Sequence, residues 1–282
     1  MYQYIEKYEK DIRESFEDVG EQNQYVCARM LYHFDKFCRE NGLKYTIDWG
    51  TLLGAFREHD FIKWDLDIDV NMEIEDFKAM WSMDLKNKIP GYFFQYTTTD
   101  PFFNSNFTFG RLVDLNSSTY PTSDLRLSPS GSHIDIQCVG KRKDLKELIL
   151  KDKASYHFKK NLRAIFLSLK HLLVTGEFKR TFFQIVYFSI YISIENIFNK
   201  NKELNKDDSS FESLHMNELD DVQMGDIKVM CIKEEYAVKR IIKEYGENYN
   251  IPPAKEEREK DMNRLGLDKK FKTSKELRHF YY

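Results

Sequence analysis

Asp67 and Asp69 stand two residues apart in the run Trp64-Asp65-Leu66-Asp67-Ile68-Asp69-Val70-Asn71. Strand side chains alternate between faces, so a strand from Asp67 to Val70 sets both carboxylates on one face. Leu66, Ile68 and Val70 then fall on the other face, fit to enter a core. Neighbouring carboxylates repel one another unless a cation lies between them. A hard divalent ion such as Mg2+ takes oxygen ligands of this kind and commonly works on phosphates. The pattern therefore points to an enzyme that moves a phosphate-containing group. The competing reading is the wet face of an edge strand, where alternate acids are ordinary.

The residues upstream supply a second piece of chemistry. Leu43 to Ile47 reads as a short strand, Asp48 to Gly50 as a tight connection, and Thr51 to Phe56 as a short helix. Free N–H groups and the positive end of the helix dipole make the Gly50-Thr51 start an anion site. Gly50 lets a phosphate approach the backbone, and the Thr51 hydroxyl adds a donor; Thr51 is equally an ordinary N-cap. Arg57 closes the helix, either reaching a phosphate with two N–H groups or standing as a solvated C-terminal cation.

The order strand, Gly-Thr, short helix, His59-Asp60 turn and Asp-x-Asp strand matches a nucleotidyltransferase layout. The stretch Asp48 to Arg57, followed by Phe61 to Val70, resembles the signature of the LicD family of phosphocholine and phosphoalditol transferases, which includes fukutin-like proteins. The family usually has proline at the place of Lys63 and three consecutive acids where this chain has Asp65, Leu66 and Asp67. The resemblance implies an α+β fold, with a nucleotidyltransferase-like mixed β-sheet core flanked by helices and an added helical segment. It makes Asp67 and Asp69 the metal-binding pair, with Mg2+ or Mn2+ as cofactor. It also calls for a third acid from a later strand. Asp135 fits, in the alternating run Ser132-His133-Ile134-Asp135-Ile136-Gln137, as both metal ligand and catalytic group. His133 shares its face and reads as a surface histidine, with a supporting donor behind the metal ligands as the alternative. Arg111, in an expected strand over Phe107 to Asp114, resembles a basic residue that holds a phosphate or donor headgroup; a salt bridge on the sheet face is the equal alternative. Asn116 to Thr119 reads as the turn behind it. The resemblance runs from about residue 25 to 255 and is strongest over 43 to 72.

Other segments must position this site. Two helices are expected in residues 1 to 41, one ending near Gly20 and one over Gln24 to Asn41. The second carries Val26, Met30, Phe34 and Phe37 at helical spacing, with Gly42 as its stop. Tyr92 to Thr98 reads as a strand pairing with the central sheet, and Pro101, Pro121 and Pro129 as loop residues. Residues 153 to 198 read as two long helices parted near Gly176. From Thr181 to Ile194 no residue is charged, a span too short to cross a bilayer, while residues 151 to 200 hold nine Lys and Arg against three acids. That composition suits either an interfacial helix over 178 to 198, with Lys179 and Arg180 at lipid headgroups, or a buried hairpin or dimer face. Asp226 to Ile232 reads as a strand and Glu234 to Tyr245 as a helix stopped by Gly246. The expected organisation is a catalytic core with N-terminal helices over 1–150, a helical insertion over 151–210, a strand and helix completing the core over 211–255, and a charged tail over 256–282.

Composition sets outer bounds. The chain of 282 residues is 41% hydrophobic with a net charge of −3, which gives no support for wholesale nucleic-acid binding. Cys27, Cys38, Cys138 and Cys231 lack metal or redox spacing and read as thiols in a reducing compartment. Met1 to Gly20 has no apolar segment of signal-peptide type, so a cytoplasmic protein is expected, with the inner face of a membrane as a further place of contact. The resemblance implies transfer of a phospho-substituent from a CDP-activated donor to a glycan or lipid-linked glycan. Three alternatives stay open: transfer of NMP from an NTP, a nucleotide-sensing or antitoxin-like role, and a non-enzymatic interaction protein.

Overall fold

The computed structural model describes residues 4–103, 108–117, 129, 131–141, 143–145, 153–175, 178, 182, 185–186, 215–256 and 258. Helix α1 (Glu6–Glu9) and a 3-10 turn at Arg13–Ser15 lead into α2 (Val19–Glu40). Asp18 caps α2 by accepting a hydrogen bond from Glu21 N at 2.9 Å. Gly20 thus lies in the first turn of the long helix and does not end a preceding one. Gly42, at φ +67°, carries the chain out of the helix, a conformation only glycine takes without strain. Val26, Met30, Phe34 and Phe37 form the buried stripe of α2.

Five strands make a mixed sheet in the order β1 (Thr46–Ile47), β2 (Ile68–Glu73), β5 (His133–Val139), β4 (Phe109–Asp114), β3 (Tyr92–Gln95). Only β2 and β5 run parallel; the other pairs are antiparallel. Ile68, Val70, Met72, Ile134, Ile136 and Cys138 face the core, and Leu66 is buried with them. Helix α3 (Trp49–Arg57) joins β1 to β2, and α4 (Ile74–Ser82) follows β2 and buries Phe77 and Met80. The architecture is α+β: a central mixed sheet flanked by helices. The strands expected over 43–47, 92–98 and 107–114 form in shorter versions.

A hairpin of β6 (Leu219–Met224) and β7 (Ile227–Ile232) packs beside β1, where Ile232 N donates to Thr46 Oγ1 at 3.0 Å. Helix α6 (Glu234–Tyr245) follows and ends at Gly246 as its sequence indicates. Helix α5 (Lys153–Thr175) accounts for the first of the two helices expected over 153–198. Most of the second, the link at 199–210 and the tail from 259 onward lie outside the described residues, as do Pro121, Ser118 and Thr119. All four cysteines are buried and free. Among the described residues no helix is long and apolar enough to cross a membrane.

Candidate active site

Sheet register assembles the site. The parallel β2–β5 pair sets Asp69 opposite Asp135, and the antiparallel β4–β5 pair sets Arg111 opposite Asp135. Asp67 enters just before β2. Asp67, His133 and Asp135 each bring one ligand atom to a common point, all within 4.8 Å of one another. His133 Nε2 lies 3.5 Å from Asp135 Oδ1 and 3.8 Å from Asp67 Oδ2. The other ring nitrogen, Nδ1, lies 3.0 Å from Gly131 O. A carbonyl only accepts, so Nδ1 carries the hydrogen and Nε2 faces the two carboxylates. That nitrogen's lone pair therefore points to the place where a metal ion would also meet the acids. Orientation of a ring through Nδ1–H to a backbone carbonyl is common among metal-bound histidines. The donor set, one imidazole nitrogen with carboxylate oxygens, therefore fits a divalent ion.

Asp69, expected to join Asp67 and Asp135, is not among the groups whose ligand atoms meet there, but it lies near enough to feel their charge. Burial, then the nearby Asp67, Asp135, Asp65 and Asp48, push its pKa up to about 9. Without a cation it therefore holds a proton at neutral pH. Its backbone is clamped between elements: Asp69 N donates to Thr51 Oγ1 at 2.9 Å, and Asp69 O accepts from Asp48 N at 3.0 Å. Arg111 Nε donates to Asp135 Oδ1 at 2.7 Å, and its guanidinium carbon lies 5.7 Å and 5.4 Å from the Phe103 and Phe109 ring centres. Arg111 thus makes the salt bridge on the sheet face that was one of its two sequence readings. A carboxylate offers about four lone-pair directions, so Asp135 can serve Arg111 and a metal together.

The start of α3 differs in detail from its expectation. The helix begins at Trp49, whose φ of +47° is strained for a side-chain-bearing residue. A Cβ on Gly50 would lie 2.0 Å from Asp65 Oδ2, so this glycine makes room for a carboxylate beside the helix start. Thr51 is buried and its hydroxyl accepts the Asp69 N–H, so it ties α3 to the strand bearing Asp69. Before the helix, Asp48 is held by both arms of Arg240 in α6, at 3.0 and 2.8 Å, in a buried pair. Arg57 ends α3 beside Trp64, 5.7 Å from its ring centre, and bonds Glu58.

A cleft of about 610 Å³ opens at this end of the sheet. Gly50, Arg57, Trp64, Asp65 and Asp67 line one side, and Tyr245, Asn248 and Tyr249 the other. Asp67 belongs to both the cleft and the Asp–His cluster, so a ligand in the cleft reaches the acids through it. The sequence reading named Trp64 and Tyr245 without giving them a place in the site. It also set His133 at the surface, and it missed the Asp48–Arg240 pair.

Residues 42–121 match the family described as LicD/FKTN/FKRP, nucleotidyltransferase domain. That range takes in α3, Asp67, Asp69 and Arg111, and ends before Asp135. A 57-residue segment is 39% identical to the lipopolysaccharide cholinephosphotransferase LicD of Haemophilus influenzae, covering 20% of this chain and 22% of that protein. The likeness thus spans about a fifth of the curated relative's length.

Proposed function

We propose that the chain is a LicD-type transferase that moves a substituted phosphate group from a CDP-activated donor to a hydroxyl of a glycan or lipid-linked glycan. The observation that carries the reading is the convergence of Asp67, His133 and Asp135 within 4.8 Å, with Asp67 also lining the cleft. The family match over 42–121 and the name of the bacterial relative support the reaction class.

Asp67, Asp69, Asp135 and His133 would hold Mg2+ or Mn2+. When bound, the ion would neutralise charge on the donor's pyrophosphate. The remaining roles fall to this chain's own groups. Gly50 keeps the α3 start open beside Asp65, Arg57 supplies positive charge on the cleft wall, and Trp64, Tyr245 and Tyr249 enclose the donor. Asp135 accepts the proton of the acceptor hydroxyl, and Arg111 keeps that carboxylate in place. The phosphorus–oxygen bond to the acceptor forms as the bond to CMP breaks, and the proton leaves on Asp135.

A donor screen tests the reading. CDP-choline, CDP-ribitol and CDP-glycerol, each labelled in the headgroup or in the nucleoside, are incubated with Mg2+, the protein and a cell-envelope glycan extract. Headgroup label entering the glycan, with CMP released and with loss of turnover in Asp67→Asn, is the expected result. Nucleoside label entering the acceptor instead assigns NMP transfer. Equal turnover in Asp67→Asn removes the proposed role of that carboxylate.

A further inference from the structure

Helix α5 carries five lysines and arginines and no carboxylate, in a chain whose net charge is −3. One face is anchored: Lys160 Nζ donates to Phe103 O at 2.7 Å, Arg163 Nη1 donates to Thr98 O at 3.0 Å, and Ala164 and Ser168 are buried. Another face is bare. Leu162, Phe166, Leu169 and Leu173 are 60, 66, 45 and 87% exposed. Steps of four, three and four residues line them up in one stripe along the helix. Phe178 and Phe182, beyond it in sequence, are also exposed, with their rings stacked at 6.2 Å. Single exposed leucines are ordinary, whereas a continuous apolar stripe marks a surface that meets something.

We propose that this face of α5 docks on an anionic lipid surface. Charge selects the partner. At about 100° per residue, Lys159 falls about 50° from the centre of the stripe, along one of its borders, on a helix without a carboxylate. A second copy of the chain would bring the same cation to the same seam and repel. Nucleic acid would satisfy the lysine and leave the leucines in water. An anionic bilayer suits both features: the leucines and Phe166 enter the boundary of the acyl chains while Lys159 meets phosphates. The sequence expectation set such a face at 178–198, most of which lies outside the described residues; the face seen here begins sixteen residues earlier, at Leu162. Docking would also bring the candidate site to the lipid. Lys160 holds the Phe103 backbone, the Phe103 ring lies against Arg111, and Arg111 binds Asp135. The inference does not depend on the assigned reaction.

Co-sedimentation of the whole protein with vesicles tests it. Phosphatidylcholine vesicles, with and without phosphatidylglycerol, are compared at low and high salt. Binding is expected with phosphatidylglycerol only, weakening as salt rises. Phe166→Glu/Leu173→Glu should reduce affinity about a hundredfold, since each lost apolar anchor is worth about tenfold or more. Lys159→Glu should reduce it about fivefold or more at low salt. Unchanged circular dichroism and melting temperature show that each variant is folded. Absence of binding at low salt, or equal binding by the folded Phe166→Glu/Leu173→Glu variant, overturns the proposal. So does a concentration-dependent dimer that this variant dissociates, which assigns the stripe to a second copy.

Discussion

Asp69 is the residue on which the chemistry of the site can be read in solution. Its folded pKa, pushed up to about 9 by burial and four neighbouring carboxyls, lies above the usual aspartate value of about 3.9. The folded state therefore holds a proton that the unfolded chain releases, and stability falls as pH rises from about 4 to about 9. Asn carries no such proton, so in EDTA Asp69→Asn should melt above wild type by an amount that grows with pH. The gain should reach the order of 1–3 kcal/mol at pH 8, or several degrees, and be smaller at pH 5. Melting curves at the two pH values decide it; a difference that shrinks with pH contradicts the assignment. His133 invites a second measurement. Imidazole suits Mn2+ better than Mg2+, so His133→Ala should weaken Mn2+ binding about 10- to 100-fold and Mg2+ binding less. Titration calorimetry reads both, and an equal loss for the two ions would remove the nitrogen from the ligand set. Asp67 and Asp135 were legible because strand alternation turns each away from its apolar neighbours, and the family resemblance pointed to them as partners. His133 was not, because the carbonyl of Gly131 that turns its ring leaves no mark in the sequence. Nor was Thr51, whose hydroxyl is taken by Asp69 N, a contact that depends on how α3 meets β2.

Among the elements, α6 and the start of α3 are joined by a buried ion pair between Asp48 and Arg240. Removing Asp48 leaves the buried Arg240 short of its closest carboxylate, with Glu244 still 3.3 Å away, so Asp48→Ala should cost about 3 kcal/mol in denaturant unfolding, the low end for a broken buried pair. Replacing both, as Asp48→Leu/Arg240→Met, should cost much less; a double variant as weak as the single would show that the pair does more than neutralise itself. This contact joins residues 192 positions apart, and no periodicity could announce it. Elements with strong periodicity were read well: α6 over Glu234–Tyr245, the buried stripe of α2, and the β2 and β5 strands. Errors fell where local cues compete. Gly20 was taken as a stop, but the Asp18 cap and Glu21 three residues later start the helix before it, and a glycine in the first turn is tolerated. Strand β6 was missed because Asp220, Asp221 and Gln223 expose a polar edge without alternation. Its signal lay in the turn: Gly225-Asp226 between Met224 and Ile227 is a two-residue hairpin loop, with Gly225 at φ +56°.

At the scale of the whole molecule, the ends of the described chain are both fastened to the sheet. Arg13 bonds Asp114 at the end of β4 with Nη1 and Nη2, at 2.6 and 3.0 Å, in a pair buried from water. Hairpin β6–β7 and α6 close over β1 and α3 from the other end of the sequence, bringing Met224, Ile227, Val229 and Ile232 into the same core as α2 and β2. A chain division at 150 is therefore a division of sequence and not of the packed body. Residues 1–150 alone would expose the apolar side of β1, leave Asp48 buried without Arg240, and lose Tyr245 and Tyr249 from the cleft. Such a fragment should lack the cooperative melting of the whole protein and bind a hydrophobic dye. Co-expression of residues 1–175 with 211–282 should restore a complex that co-purifies and melts in one transition, because the contacts that matter lie between these two parts. Arg240→Ala in the second fragment should weaken that complex about a hundredfold or more, because the buried Asp48 carboxylate then keeps the hydrogen bond from Asn71 Nδ2 but loses its cation. A fragment 1–150 that unfolds cooperatively near the temperature of the full chain would show instead that the hairpin and α6 are an accessory, and that the cleft is completed by a separable unit.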